Sequence, residues 1–190
     1  VEVTSISKVR VSKNHLPKIE YSSYPKEKII EMLTDASKVV LEYDPRIVRC
    51  NAMFQCNYKE VEIFNSEGKQ FNDVRSRGRA FLIAVAAKPG AIETGSAGPG
   101  AQQGMEFFLD EISLVDQAKE VAKSSLTMLD ARECPSGKMP VIIGNGFGGV
   151  IFHEACGHSL EATSVSKGLS VFSGKKGTKI ASSIVSAVDD

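Results

Sequence analysis

Two stretches of the chain repeat apolar residues every three or four positions, which is the spacing of an amphipathic helix. The first covers Lys26–Glu42 and the second Leu114–Leu129. Pro45 follows the first stretch, and a proline disfavours helical backbone in the residue before it, so the first helix is predicted to end there. The apolar positions of the first helix are Ile29, Ile30, Leu33, Ala36, Val40 and Leu41.

The pattern between these helices changes to that of strands. Residues 46–57, 59–65 and 70–87 predict three strands, with a turn at 66–68 and a bulge near Gly78. Strands joined by short turns pair antiparallel, because parallel strands need long crossover connections. Residues 90–104, rich in glycine, alanine and serine, predict a loop. The predicted fold class is α+β, an antiparallel sheet with flanking helices, plus one more helix near the C-terminus.

Two regions are predicted along the chain. Residues 1–132 form the α+β region, itself truncated. Residues 133–190 hold a strand at 139–143, a helix from about 149 to 162, and the start of a second domain whose C-terminal part is missing. The chain opens on valine and stops directly after an apolar run, so we expect a fragment of a longer two-domain protein.

The composition narrows the classes of protein to consider. A hydrophobic content of 42% is enough to bury a core. The 23 basic and 23 acidic residues balance, so no positive excess favours nucleic acid as a partner. The longest apolar run, residues 80–87, is too short to cross a bilayer, so no membrane partner is expected. Four cysteines do not make a disulfide scaffold in 190 residues, and a cytoplasmic location is expected.

Candidate chemistry is concentrated in the segment 153–158, which places two imidazoles and a carboxylate within six residues. Histidine is a common metal ligand, and a carboxylate beside a metal is the usual base for activating water. His153 and His158 stand five apart, about 140° around an ideal helix. Both could reach one ion if the helix contains a one-residue π bulge or ends early, and Gly157 could tolerate the distorted backbone.

Two histidines do not complete a catalytic zinc site, which usually has three protein ligands and water. Cys156 lies about 200° around the helix from His158 and is predicted to point away. Glu161, three residues after His158, could be a ligand or a partner of that histidine. A ligand could also lie outside this chain.

A second motif in residues 144–149 matches the G-x-G-x-x-G pattern of dinucleotide-binding proteins and follows a predicted strand. Asp189 lies 45 residues beyond Gly144, although the acid of that pattern is expected about 20 residues on. No alternating βαβ pattern precedes it either, so a nucleotide-binding oxidoreductase is the weaker alternative. The loop 90–104 also lacks the Gly-Lys-Ser/Thr ending of a phosphate-binding loop and is predicted to pack or flex.

The segment from Gly144 onward resembles the TldD/PmbA family of metalloproteases, catalytic TldD type. The resemblance rests on the H-E-x-x-x-H helix, on residues 139–144, 149–161, 167–174, 180–183 and 188–190, and upstream on residues 73–75 and 106–109. It implies that His153 and His158 bind Zn²⁺, that Glu154 is the base, and that a cysteine beyond residue 190 is the third ligand. Residues 162–166 depart from the Gly-Asp and Asn-Arg pairs usual after Leu160-Glu161, which puts the role of those pairs in doubt here.

The resemblance predicts a zinc-dependent peptidase that hydrolyses unfolded peptides, with Glu154 activating water at the metal. It also implies a homodimer, or a heterodimer with a PmbA-like subunit, enclosing a chamber. A non-catalytic partner subunit or a chamber-forming binding protein of the same family is the main alternative, although neither has need of His153, Glu154 and His158. The 190 residues alone are expected to fold but not to catalyse, because they offer two apparent ligands instead of three.

Overall fold

The computed structural model describes residues 6–9, 16–144 and 146–186. The chain divides into two compact units, Val1–Glu133 and Cys134–Asp190. None of the helices in these described ranges is both long and apolar enough to cross a bilayer. The main elements of the first unit are β1 Ser7–Lys8, α1 Lys26–Glu42, β2 Ile47–Phe64, β3 Lys69–Lys88, β4 Ala91–Ala97, β5 Gly100–Ala101 and α2 Leu114–Leu129, with a 3₁₀ turn at Tyr21–Ser23 and a π turn at Phe107–Glu111.

The sheet of the first unit is built around β3. β2 pairs antiparallel along the whole of one edge, and the other edge takes β4 and β5 antiparallel and β1 parallel. The α+β fold class is confirmed, and α1 and α2 have the predicted bounds. The two strands predicted at 46–57 and 59–65 are wrong in one respect. They form one continuous strand, because Tyr58, in the predicted gap between them, pairs with Ser76.

Two further strand predictions need correction. The irregularity in pairing lies between Ile47 and Arg49, and pairing is regular through Gly78. Gly78 is needed for space, since a Cβ there would lie 2.0 Å from the hydroxyl oxygen of Tyr21. The predicted loop at 90–104 contains two strands, because β4 pairs with residues 82–88 at the end of β3 and β5 pairs with Gly78 and Arg79 in its middle.

The core lies between one face of β3 and the two long helices. Alternate residues of a strand share a face, and on β3 the buried series is Ala80, Leu82, Ala84 and Ala86. These small side chains let the helices lie close to the sheet, as does Gly95, where a Cβ would meet the backbone oxygen of Val121 at 2.3 Å. The opposite face of the sheet is largely exposed and includes Met53 and Ile83.

The second unit is built from short helical segments. A 3₁₀ turn, Gly146–Gly149, leads into α3 at residues 150–160, and α4 follows at Ala162–Ser166. The strand predicted at 139–143 is not formed, since no described strand pairs with it and Ile142 is 99% exposed. No side chain in the described part of this unit is buried. Apolar burial therefore stabilises the first unit but contributes little to the second.

A buried carboxylate holds the chain before α1 against the loop before α2. Glu106 accepts hydrogen bonds from the backbone N–H groups of Lys18, Ile19 and Gly104, each at 3.0 Å. Burial alone would raise the pKa of Glu106, but these backbone donors outweigh it and leave the pKa below its usual value. The ionised carboxylate is thus the form that the fold prefers.

Replacing this carboxylate should destabilise the first unit. Glu106→Gln keeps one accepting oxygen and turns an NH₂ group towards backbone donors, so we expect the free energy of unfolding to fall by about 2–3 kcal/mol at pH 7 in urea titrations. Glu111→Gln, an exposed change in the following turn, should cost under about 0.5 kcal/mol. The lowered pKa means that the contribution of Glu106 is present above an unfolded-state pKa of about 4.3 and is lost as the pH falls. A difference between the proteins that stays constant down to pH 2 would contradict this.

Candidate metal centre

The motif helix α3 changes its winding at the histidines. Val150–Phe152 is α-helical, His153–Gly157 is a π turn, and His158–Leu160 is α-helical again. The backbone N–H of His158 donates to the carbonyl oxygen of His153, a bond that spans five residues. The two imidazole centroids consequently lie 4.5 Å apart. Of the two predicted ways to bring the histidines together, a π turn or an early end of the helix, the structure contains the π turn.

The π turn brings three possible ligands together. The donor atoms of His153, Glu154 and His158 all lie within 4.8 Å of one another. The Nε2 atom of His158 is 3.8 Å from Oε2 of Glu154. All three side chains are exposed. Two imidazoles and a carboxylate are a donor set found in catalytic zinc sites, so the chemistry of the cluster fits a transition-metal ion.

Glu161 lies behind the cluster, on the other side of the His158 ring. Its Oε1 atom is 2.7 Å from Nδ1 of His158. An ionised carboxylate can only accept, so in the neutral imidazole this contact places the proton on Nδ1 and leaves the lone pair on Nε2, the nitrogen nearer Glu154. The hydrogen bond to Glu161, followed by the charge of Glu161, raises the pKa of His158. Of the two roles open to Glu161, the structure shows the contact with His158.

The motif helix α3 ends at Leu160, directly before the residue that contacts His158. Glu161 leaves helical geometry, with φ −56° and ψ 125°. Its carbonyl oxygen then accepts from the N–H groups of Ser164 and Val165 in α4. The hydroxyl of Ser170 donates to the carbonyl oxygen of Ser159. The sequence carries no signal for that contact, because eleven residues separate the two serines. Residues 162–166, where the chain departs from the family pattern, form α4.

Gly157 leaves space beside the cluster, and Cys156 lies outside it. Gly157 has ordinary helical angles, φ −55° and ψ −57°, so the backbone does not require glycine there. A Cβ on Gly157 would instead lie 3.3 Å from Nδ1 of His153, so glycine leaves space for that imidazole. Cys156 is a free, exposed thiol outside the cluster of ligand atoms, as its position on the helix predicts.

The glycines of residues 144–149 lack the structural context of a dinucleotide-binding motif. Its pattern requires a strand directly before the glycines, and residues 139–143 are not a strand. The described sheet is mainly antiparallel, with no alternating βαβ units. Asp189 lies outside the described residues.

Two family models match the chain. The PmbA/TldA metallopeptidase central domain matches residues 19–129, and the PmbA/TldA metallopeptidase C-terminal domain matches residues 136–190. The chain belongs to the PmbA/TldD metallopeptidase family. Membership in a metallopeptidase family implies a metal cofactor, and the cluster on α3 offers donors for one.

Individual proteins named as TldD homologs are similar in sequence to this chain. The chain is 35% identical to a metalloprotease TldD homolog from Haemophilus influenzae, over 88% of this chain and 36% of that protein. It is 31% identical to a TldD homolog from Buchnera aphidicola, over 95% of this chain and 38% of that protein. The chain therefore spans little more than a third of the length of these curated relatives.

A solved structure shares the fold. A Thermotoga maritima protein, described as a proposed modulator of a DNA gyrase, matches with a TM-score of 0.73 at 19% identity. The match covers 92% of this chain and 39% of that one. At this identity the likeness establishes the fold alone.

Adding a methyl group at Gly157 should move the neighbouring imidazole without unwinding the helix. Alanine favours helix over glycine by about 1 kcal/mol, so Gly157→Ala should keep the helical circular dichroism. The crowded His153 ring should weaken Zn²⁺ binding by about 3-fold or more, measured by competition with a chromophoric chelator. Cys156→Ala is the control and should leave the affinity unchanged. Equal affinity in Gly157→Ala and the unaltered chain would contradict the spatial role of this glycine.

Removing the carboxylate behind His158 should also weaken metal binding. Partners that orient a metal-ligating histidine typically contribute 10- to 100-fold in affinity. We expect about 10-fold weaker Zn²⁺ binding in Glu161→Ala and a smaller loss in Glu161→Gln, whose amide oxygen can still accept from Nδ1. The same competition titration measures both. If Glu161→Gln lost as much affinity as Glu161→Ala, the charge and not the hydrogen bond would be what matters.

Proposed function

We propose that this chain carries the metal site of a zinc-dependent peptidase that hydrolyses unfolded peptides. The observation that carries the proposal is the π turn, which collects His153, Glu154 and His158 into one cluster in a chain of a metallopeptidase family. A histidine pair supplies two ligands for zinc-assisted hydrolysis, and the carboxylate between them supplies a base.

His153 and His158 would hold the ion through imidazole nitrogen atoms. For His158 the available atom is Nε2, because Nδ1 is engaged by Glu161. The third protein ligand is proposed to be a cysteine in the part of the protein that the longer relatives have and this chain does not. When bound, zinc supplies a Lewis acid that polarises the scissile carbonyl and lowers the pKa of water.

Glu154 is proposed as the general base. Its carboxylate lies on the Nε2 side of His158 and is exposed, so water can reach it. The carboxylate takes a proton from water as the water oxygen bonds to the carbonyl carbon. It then gives that proton to the leaving nitrogen as the C–N bond breaks. His158, held by Glu161, keeps its orientation through both steps.

The partners and the location of the protein are proposals of the same kind. We propose a homodimer, or a heterodimer with a PmbA-like subunit, acting on unfolded peptides in the cytoplasm. A non-catalytic partner subunit is the second candidate, and the intact cluster speaks against it, since such a subunit needs no assembled donors. A protein of the relatives' length that contains this chain is the material in which to test activity.

The proposed base can be separated from a ligand by one substitution. In a protein of the relatives' length, Glu154→Gln keeps the size of the side chain but removes its basic oxygen. We expect peptide hydrolysis to fall by about 10²-fold or more while zinc content stays at one ion per chain. His153→Ala, the comparison variant, should lose both the zinc and the activity.

The pattern of losses decides between the roles. Loss of zinc in Glu154→Gln would make Glu154 a ligand and would contradict its assignment as the base. Full activity in His153→Ala would contradict the zinc peptidase itself. The 190-residue chain alone is expected to bind Zn²⁺ weakly and to cleave no peptide. Micromolar or tighter binding with chelator-sensitive cleavage would place all the ligands within it.

A further inference from the structure

An open pocket of about 490 Å³ lies on the first unit, on the face of the sheet turned away from the helices. Cross-strand neighbours share a face, and here Gln55 pairs with Arg79 and Asn57 with Arg77. Gln102, after β5, completes this part of the lining. The lining contains two guanidinium groups and three side-chain amides but no carboxylate.

Both arginines are oriented by neutral partners. The Nε of Arg77 donates to Oε1 of Gln102 at 3.1 Å, and the Nε of Arg79 donates to the carbonyl oxygen of Gly98 at 3.0 Å. The guanidinium carbon of Arg79 also lies 4.6 Å from the centroid of the Phe81 ring. Among the ion pairs formed within the described residues, none involves Arg77 or Arg79. Two positive charges are therefore held in place with no negative partner among the residues that the structure describes.

The glycines of the segment 90–104 make room for one of these arginines. A Cβ on Gly98 would lie 2.8 Å from an Nη atom of Arg79, and a Cβ on Gly100 would lie 3.0 Å from its Cγ. The glycine-rich segment thus seats a guanidinium group. An anion here would contact the guanidinium groups and not the backbone of this segment, unlike an anion in a phosphate-binding loop.

The surroundings indicate which anion fits. A guanidinium group matches the planar, two-oxygen geometry of a carboxylate, and neighbouring amides can donate to the same oxygens. Along the same face, the exposed apolar side chain of Met53 is two residues from Gln55, the cross-strand partner of Arg79, and exposed Ile83 lies four residues beyond Arg79 on β3. An apolar strip beside two cations complements a peptide that carries an acidic residue next to apolar ones. A nucleic acid backbone would need a larger positive surface than this neutral chain offers.

We infer that this pocket binds the carboxylate of an extended peptide segment, through Arg77 and Arg79. Binding here needs no metal ion. Its failure would therefore leave the proposed zinc chemistry untouched, and failure of the zinc site would leave this pocket untouched.

The test uses the 190-residue chain in the presence of a chelator. The probe is a dye-labelled octapeptide with blocked ends and one glutamate among apolar residues, and its binding is followed by fluorescence anisotropy. A matched peptide carries glutamine in place of the glutamate. We expect the glutamate peptide to bind about 10-fold more tightly than the glutamine peptide, and Arg77→Gln/Arg79→Gln to remove that preference.

Two further variants separate geometry from charge. Arg49→Gln removes one positive charge from the same face, about 20 Å along β2 from Gln55, and should change the affinity less than 2-fold. Gly98→Ala keeps every charge but displaces the guanidinium group of Arg79, and should weaken binding of the glutamate peptide several-fold. Circular dichroism of each variant confirms that it is folded.

Three outcomes would overturn the inference. Equal binding of the glutamate and glutamine peptides would show that no carboxylate is recognised. An effect of Arg49→Gln as large as that of the double variant would show only general attraction between charges. Stronger competition by a single-stranded oligonucleotide than by the unlabelled glutamate peptide would assign the arginines to a nucleic acid.

Discussion

The candidate metal centre depends on one backbone hydrogen bond, the one from the N–H of His158 to the carbonyl of His153. In a regular α-helix residues five apart diverge by about 140°, so the two imidazoles could not share an ion. The bond across five residues inserts an extra residue into the turn and returns His158 to the side of His153. The short distance between the two imidazole rings follows from that change in winding, and it completes a cluster in which Glu154 and Glu161 neighbour His158 at helical spacings of four and three residues.

Local patterns in the sequence were sufficient for the long elements. α1 and α2 show strong periodicity and bury their apolar stripes, so their bounds agree with the prediction. Strand limits were less accurate, because they depend on which residues lie opposite. Tyr58 continues a strand only because Ser76 faces it, and residues 139–143 remain irregular because no strand in the described ranges pairs with them. Glycine is needed at positions 78 and 98 because the side chains of Tyr21 and Arg79 pack there, and local sequence does not reveal those tertiary contacts.

The residues of the candidate metal centre could be predicted from the sequence, but some of their roles could not. The spacing of the histidines predicted either a π turn or an early end of the helix, because a regular α-helix would hold the two side chains about 140° apart. The sequence could not decide the role of Glu161, since a residue at i+3 can face either the ion or the back of the ring. The structure shows its carboxylate at Nδ1 of His158. The space that Gly157 leaves for His153 was hidden too, because it depends on the orientation of a side chain.

The central claim is that His153 and His158 bind the same zinc ion. X-ray absorption at the zinc edge, on zinc-loaded protein of the relatives' length that contains this chain, tests it directly. We predict two imidazole nitrogen ligands at about 2.0–2.1 Å and one sulfur ligand at about 2.3 Å, with one imidazole lost in His158→Ala. A spectrum without imidazole scattering, or one unchanged by His158→Ala, would contradict the account.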